Sequence, residues 1–146
     1  MEKKAFEEFY AFLKSKGFKL TNGRKIILEK IFATHEHINA EDLFLLLRKR
    51  KENISRATVY RTLDLLVKSG LVQKISFGEK YAVYEHVLGH SHHDHLICIR
   101  CGTIKEFSDS SMIEKYKTIA DANSFKPLAF RLQIFGYCSK CQNEPQ

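Results

Sequence analysis

The four cysteines of this chain form two Cys-x-x-Cys pairs, Cys98 with Cys101 and Cys138 with Cys141. Four thiolates in two knuckles suit tetrahedral zinc and leave no open coordination position, so the predicted site is structural rather than catalytic. The chain opens on charged, amphipathic residues without a signal-like apolar run, which makes the cytoplasm the default compartment. Thiols stay reduced there, so metal ligation is expected ahead of disulfides. Five of the seven histidines lie between Glu85 and Cys101, and four of them fall in His90-Ser91-His92-His93-Asp94-His95. Side chains alternate faces along an extended chain, so His93 and His95 share one face while His92 and Asp94 share the other. One short segment can thus feed two ligand sets. The first joins His93 and His95 with Glu85 and Glu106, and His37 is a candidate from the other half of the chain. Imidazole with carboxylate suits Fe(II), Mn(II), Co(II) or Zn(II). The second set starts from His92 and Asp94, with no further ligand evident. A polar histidine tract on the surface is the plainer alternative for both.

The elements that must position these residues follow from periodicity and caps. Phe6, Phe9, Tyr10 and Leu13 repeat at helical spacing, and Gly17 can close that helix in the left-handed conformation. Thr21 caps a second helix through Arg24, Ile27, Leu28 and Ile31. His35 to His37 forms a polar turn. Asn39, with Asp42 three residues on, opens a third helix that turns Leu43, Leu46 and Leu47 inward and ends in the basic run Arg48 to Lys51. Ser55 caps a fourth helix over Arg56–Ser69, ended by Gly70, with Val59, Leu63, Leu66 and Val67 as its apolar stripe. Leu71–Phe77 and Lys80–Tyr84 read as strands joined at Gly78-Glu79. Helices followed by such a hairpin make a winged helix, whose recognition helix enters the major groove by its N-terminal residues. The competing reading is a small helical bundle with charged outer faces. Further on, His95–Ile99 and Thr103–Phe107 are strands flanking the first knuckle. A helix from Asp109 or Ser110 carries Ile113, Tyr116, Ile119 and Ala120. Leu128–Phe135 is a last strand, and Gln142–Gln146 a frayed tail.

Charge divides the chain at about the same place. Met1 to Tyr84 holds 17 Lys+Arg against 10 Asp+Glu, while Glu85 to Gln146 holds 7 of each, so the whole net charge of +7 belongs to the first part. A polyanion partner is expected for that part alone. The second part, about 60 residues, is too small to bury much apolar surface and calls for a staple such as zinc. No apolar run is long enough to span a membrane.

Several motifs in order resemble the ferric uptake regulator family of metal-dependent transcriptional repressors, over about Gly17 to Cys141. They are Gly17-Phe18-Lys19-Leu20-Thr21 with Arg24, then His37-Ile38-Asn39-Ala40-Glu41-Asp42-Leu43, then Ala57-Thr58-Val59-Tyr60-Arg61-Thr62-Leu63. His92-His93-Asp94-His95-Leu96-Ile97-Cys98 and Glu106-Phe107-Ser108 complete them. The resemblance implies an α+β fold: an N-terminal winged-helix DNA-binding domain over 1–84, a hinge over 85–91, and a small α/β dimerisation and metal-binding domain over 92–146. It implies a regulatory metal on His37, Glu85, His93, His95 and Glu106, and a structural zinc on Cys98, Cys101, Cys138 and Cys141. DNA contacts fall to Tyr60 and Arg61, with Lys19 in the minor groove; Arg24 and Thr58 lie in the same motifs, Ser55 stands just ahead of the third, and all three join the candidate DNA-binding residues. His92 and Asp94 match half of a third metal site. There the chain departs from the family: the histidine often found eight residues before Cys138 is Phe130 here, and Glu114 stands one residue out of register.

Peroxide-sensing relatives usually carry Asp at the position of Glu85 and often Asn at that of Arg61, so both choices here resemble the iron-responsive branch. The expectation is a homodimeric repressor, not an enzyme, that binds palindromic double-stranded operator DNA in response to Fe(II), with Mn(II) or Zn(II) as other regulatory ions. Zinc sensing and peroxide sensing are the alternatives within the family. A metal-dependent hydrolase using Glu85 or Glu106 as base, or a zinc-ribbon adaptor for protein partners, are those outside it. Neither outside reading accounts for the basic first part.

Overall fold

The computed structural model describes residues 2–34, 36–77, 81–89, 92–127 and 130–143. The chain forms two compact units, Met1–His90 and Ser91–Gln146. The first holds α1 (Glu2–Ser15), α2 (Asn22–Phe32), α3 (Ala40–Lys49), α4 (Arg56–Lys68), β1 (Val72–Phe77) and β2 (Tyr81–His86). The second holds β3 (Asp94–Cys98), β4 (Ile104–Phe107), α5 (Ser110–Ala122) and β5 (Gln133–Gly136). Among the described residues no helix is long and apolar enough to cross a membrane.

Each helix of the first unit ends where local chemistry dictates. Gly17, at φ +74°, closes α1 in a conformation that strains any residue with a Cβ. Its neighbour Phe18 then donates its N–H to Leu13 O at 2.8 Å, satisfying a terminal carbonyl. Thr21, Asn39 and Ser55 accept the N–H groups of Arg24, Asp42 and Thr58, capping α2, α3 and α4 in turn. Packing then selects the inward faces. On α1 these are Ala5, Phe9 and Leu13, while Tyr10, expected in the stripe, is half exposed. On α3 Phe44 is buried beside Leu43 and Leu47, and Leu46 lies at the margin. On α4 Thr62 and Leu65 join Val59, Leu63 and Leu66, widening the stripe because the helix packs on α2, α3 and β1 together. Thr62 can be buried because its hydroxyl donates to Thr58 O at 2.7 Å.

β1 and β2 pair antiparallel, Val72 opposite His86 through Phe77 opposite Tyr81. The expected turn at Gly78-Glu79 lies outside the described residues. Ile38 adds a third rung, bridging Tyr84 through backbone hydrogen bonds of 3.1 and 2.8 Å. Four helices and this small sheet make the first unit a winged helix.

In the second unit the strand order is β4-β3-β5, with β3 antiparallel to β4 and parallel to β5. β5 is shorter and later than the predicted Leu128–Phe135. Asp94 Oδ1 accepts the Leu132 N–H at 2.9 Å, and parallel pairing begins only at Gln133, opposite His95. Leu128, Ala129 and the last three residues lie outside the described residues. The main apolar cluster belongs wholly to the first unit. In the second, Ile97, Cys98, Ala120 and Cys141 are the buried apolar side chains among those described. α5 buries Ala120 but leaves Ile119 exposed.

Leu63 is fully buried where α4 meets the sheet and its neighbouring helices. Leu63→Ala should lower the unfolding free energy by about 2–5 kcal/mol, the range for such truncations. Urea unfolding followed by far-UV circular dichroism gives the value.

Candidate metal centres and nucleic-acid interface

The two cysteine knuckles meet because β3 and β5 run side by side. Cys98 ends β3 directly opposite Gly136 at the end of β5, so the chain turns into both knuckles at one edge of the sheet. Gly102, at φ +75°, turns the first knuckle and donates to Cys98 O at 3.0 Å. Cys141 and Gln142 donate to Cys138 O in the second, each at 2.9 Å. All four Sγ atoms lie within 4.8 Å of one another, and the thiols are not paired as disulfides. Tetrahedral Zn–S bonds of about 2.3 Å require sulfurs roughly 3.8 Å apart; Cys101 and Cys138 stand 3.7 Å apart.

Backbone donors already favour thiolates there. N–H groups of Cys101 and Cys138 pull the Cys98 thiol down to about 6, and the Cys138 N–H reaches Cys98 Sγ at 3.4 Å. The Thr103 hydroxyl, 3.1 Å from Cys101 Sγ, lowers that thiol too. Cys141 is pushed up to about 12, first by burial and then by its thiol neighbours. Four sulfurs this close cannot all ionise without a cation between them, a role that a bound Zn²⁺ would fill. Arg100 braces the arrangement, donating to Cys141 O at 3.2 Å while lying over the Tyr137 ring. Thr103 and Arg100 carried no signal in the sequence, because their roles depend on knuckle geometry.

The histidine and carboxylate candidates are held in each unit separately. In the first, the Ile38–Tyr84 bridge sets the neighbouring residues His37 and Glu85 opposite each other, and His37 Nε2 lies 3.5 Å from Glu85 Oε2. Glu85 is only 5% exposed; Gln73, its partner across β1 and β2, donates Nε2–H to Glu85 Oε2 at 2.7 Å. Gln73 was not foreseen, and the strand register is what reveals it. In the second unit His95 stands directly across from Glu106, and paired residues share a face. The His93 ring meets that of His95 edge-on, with centroids 5.0 Å apart. Both subsets offer the nitrogen and oxygen donors that a borderline divalent cation takes. His86, in the same histidine-rich run, stacks on Phe32 with ring centroids 4.8 Å apart and sets Nδ1 3.1 Å from the Leu88 carbonyl oxygen, so it packs against the first unit's core.

Among the described residues the opposite face gathers only a pair. His92 Nε2 lies 3.2 Å from Asp94 Oδ1, but among the described residues no third ligand atom gathers with this pair. Phe130 stacks on Tyr116 with centroids 5.6 Å apart, so apolar rings stand where the resemblance places a histidine. Glu114 is exposed on α5. Asp94 instead spends Oδ1 on the Leu132 N–H, tying the approach to β5 onto β3.

Of the candidate DNA-contacting residues, Tyr60 and Arg61 project outward from α4, Tyr60 at 45% exposure, away from Val59, Leu63 and Leu66. Ser55 and Thr58 share the cap, their hydroxyls 2.8 Å apart. Arg24 lies over the Phe18 ring at 5.5 Å and donates to the Lys19 carbonyl, which fixes the loop carrying the exposed Lys19 side chain. The structure thus separates exposed side chains on α4 and at Lys19 from residues that fix the cap and the loop around them.

A winged-helix unit that turns Tyr60 and Arg61 outward, followed by a unit with a four-thiolate centre and a histidine-carboxylate face, defines a metal-dependent DNA-binding regulator. The sequence pattern of the ferric uptake regulator family matches residues 15–135. The ferric uptake regulation protein of Campylobacter jejuni is 34% identical over 140 residues, covering 94% of this chain and 88% of that one. That of Neisseria meningitidis is 37% identical over 132 residues, covering 89% and 90%. A structure of the ferric uptake regulator from Pseudomonas aeruginosa with manganese aligns with a TM-score of 0.75 at 30% identity, covering 87% of this chain and 95% of that one. The chain belongs to the ferric uptake regulator family.

Elemental analysis of the purified protein should find one tightly held zinc per chain. Cys138→Ser should lose it and unfold the second unit at lower temperature, since zinc binding in small units is folding free energy of roughly 10–16 kcal/mol. Full zinc retention by that variant would be inconsistent with a four-thiolate site.

Proposed function

We propose that this protein is a homodimeric transcriptional repressor that binds a palindromic DNA operator when loaded with Fe(II). The carrying observation is that nitrogen and carboxylate donors are assembled in both units: His37 against Glu85 in the first, and His93 beside His95, itself paired with Glu106, in the second. The regulatory ion takes these five ligands together, so its binding energy depends on how the winged helix is held relative to the dimerisation unit. Within the expected hinge over 85–91, Glu85 and His86 are held in β2, and the proposed bending falls after them. Metal favours the pose in which the two recognition helices of a dimer match half-site spacing. An ion shifts such an equilibrium only by its differential affinity, and moving it from 1:99 to 99:1 takes about 5.5 kcal/mol.

Supporting the DNA partner are the charge confined to the first part of the chain and the outward pair Tyr60 and Arg61. Supporting the dimer is the second unit's apolar surface, with Ile119, Phe125, Ile134 and Phe135 all more than 45% exposed, side chains that a second copy would cover. Supporting Fe(II) are Glu85 and Arg61 at positions where the iron-responsive branch carries the same residues. The relatives from C. jejuni and N. meningitidis are named for ferric uptake regulation.

Operator affinity measured by fluorescence anisotropy should rise at least tenfold with Fe(II) or Mn(II), and His37→Ala should abolish that rise while keeping the structural zinc. Equal affinity with and without metal would end the proposal. Arg61→Ala should cost about 1–3 kcal/mol and blur base preference, as for a bidentate guanine contact. A uniform loss across all sequences would assign Arg61 to a phosphate. Lys19→Ala should make log affinity less steep in log salt by about one phosphate contact; an unchanged slope removes Lys19 from the interface.

A further inference from the structure

One ring in the first unit organises two arginines. Phe44 on α3 is buried, and the guanidinium carbons of Arg48 and Arg56 lie 5.8 and 4.8 Å from its centroid. Arg48 comes from the last turn of α3 and Arg56 is the first residue of α4, so the ring gathers cations from both helices of the helix-turn-helix. Arg56 is further held by Glu41, which accepts from its Nη2 at 2.7 Å. Both arginine side chains are exposed.

Their position on α4 gives this a direction. Residues four apart share a helix face, so Arg56 stands one turn ahead of Tyr60 on the surface that carries the outward pair. In helix-turn-helix proteins the second helix reads bases from its N-terminal end while the first crosses the sugar-phosphate backbone. A guanidinium has five N–H donors, so Arg56 can give one to Glu41 and still offer others to a phosphate. Stacking on a ring also restricts the side chain before binding, which lowers the ordering cost of a new contact.

We propose that Arg48 and Arg56 form a phosphate clamp on the operator backbone, built on Phe44 and set one turn ahead of Tyr60 and Arg61. This rests on the DNA-binding reading above and adds to it two residues that fix where the recognition helix sits along the groove. The clamp contacts phosphate only, so it carries affinity and register without base preference.

The test uses the full-length, zinc-containing, Mn(II)-loaded protein. Its affinity is measured across a sodium chloride series on an operator duplex and on a shuffled duplex of equal length and composition. Arg48→Ala and Arg56→Ala should each flatten the dependence of log affinity on log salt by about 0.9, the value for one phosphate on duplex DNA. Each should weaken both duplexes by the same factor, with the thermal midpoint unchanged. Arg56→Ala combined with Glu41→Gln should show the same flattening, which separates a lost phosphate contact from repulsion by an uncovered carboxylate. Unchanged slopes overturn the clamp, as does a loss confined to the operator or one that tracks a lowered thermal midpoint. A wild-type chain with no preference for the operator removes the DNA-binding reading and the clamp with it. A wild-type chain with that preference, beside variants of unchanged slope, removes the clamp alone.

Discussion

Two backbone hydrogen bonds between Ile38 and Tyr84 hold together much of what the first unit does. They join the segment before α3 to the last strand of the wing, so the helical and strand parts of the winged helix become one body. They also set His37 beside Glu85. A buried carboxylate is costly unless it is paired, and Glu85 has both the His37 imidazole and the Gln73 amide against it. The pairing thus creates a polar site at a sheet edge whose position is fixed by main-chain register rather than by flexible side chains. Under the proposed function, this is why metal at that site can move the whole DNA-binding unit as a rigid piece.

The second unit solves a different problem with a related device. Its buried apolar side chains are few, and α5 leaves much of its length exposed, so packing alone offers little cohesion. The sheet instead delivers two cysteine knuckles to one edge, where a zinc ion would supply the cohesion that a small core does not. The same three strands leave His95 and Glu106 paired on one face while Asp94, on the other, clamps the Leu132 N–H. Alternation along β3 therefore separates a histidine–carboxylate face from one that ties down the backbone. The Tyr116–Phe130 stack puts a ring where the family resemblance would place a metal ligand.

Within the first unit the residues of α4 divide their work by position. Ser55 and Thr58 complete the cap, Val59, Leu63 and Leu66 anchor the helix, and Tyr60 and Arg61 are left to face outward. The cap matters to function because it fixes the N-terminal turn, the part that approaches a groove most closely. Arg24 serves the neighbouring loop in the same way, stacking on Phe18 and holding the Lys19 backbone so that the Lys19 side chain projects.

Much of this was legible in the sequence because it depends on neighbours along the chain. Caps at Thr21, Asn39 and Ser55, the left-handed glycine at Gly17, and the four-cysteine spacing are all local rules. So is the alternation that puts His93 with His95 and His92 with Asp94. Other features were decided only in three dimensions. The inward face of α1 runs through Ala5 rather than Tyr10, and Thr62 and Leu65 are buried on α4, because burial depends on how many elements surround a helix. β5 begins at Gln133 rather than Leu128 because Asp94, 38 residues away, captures the Leu132 N–H. Gln73 beside Glu85, Arg100 over Tyr137, and Arg56 on Phe44 likewise join residues that no short-range pattern connects. Local free energies wrote the elements and the ligand types; strand register and packing chose which side chains meet.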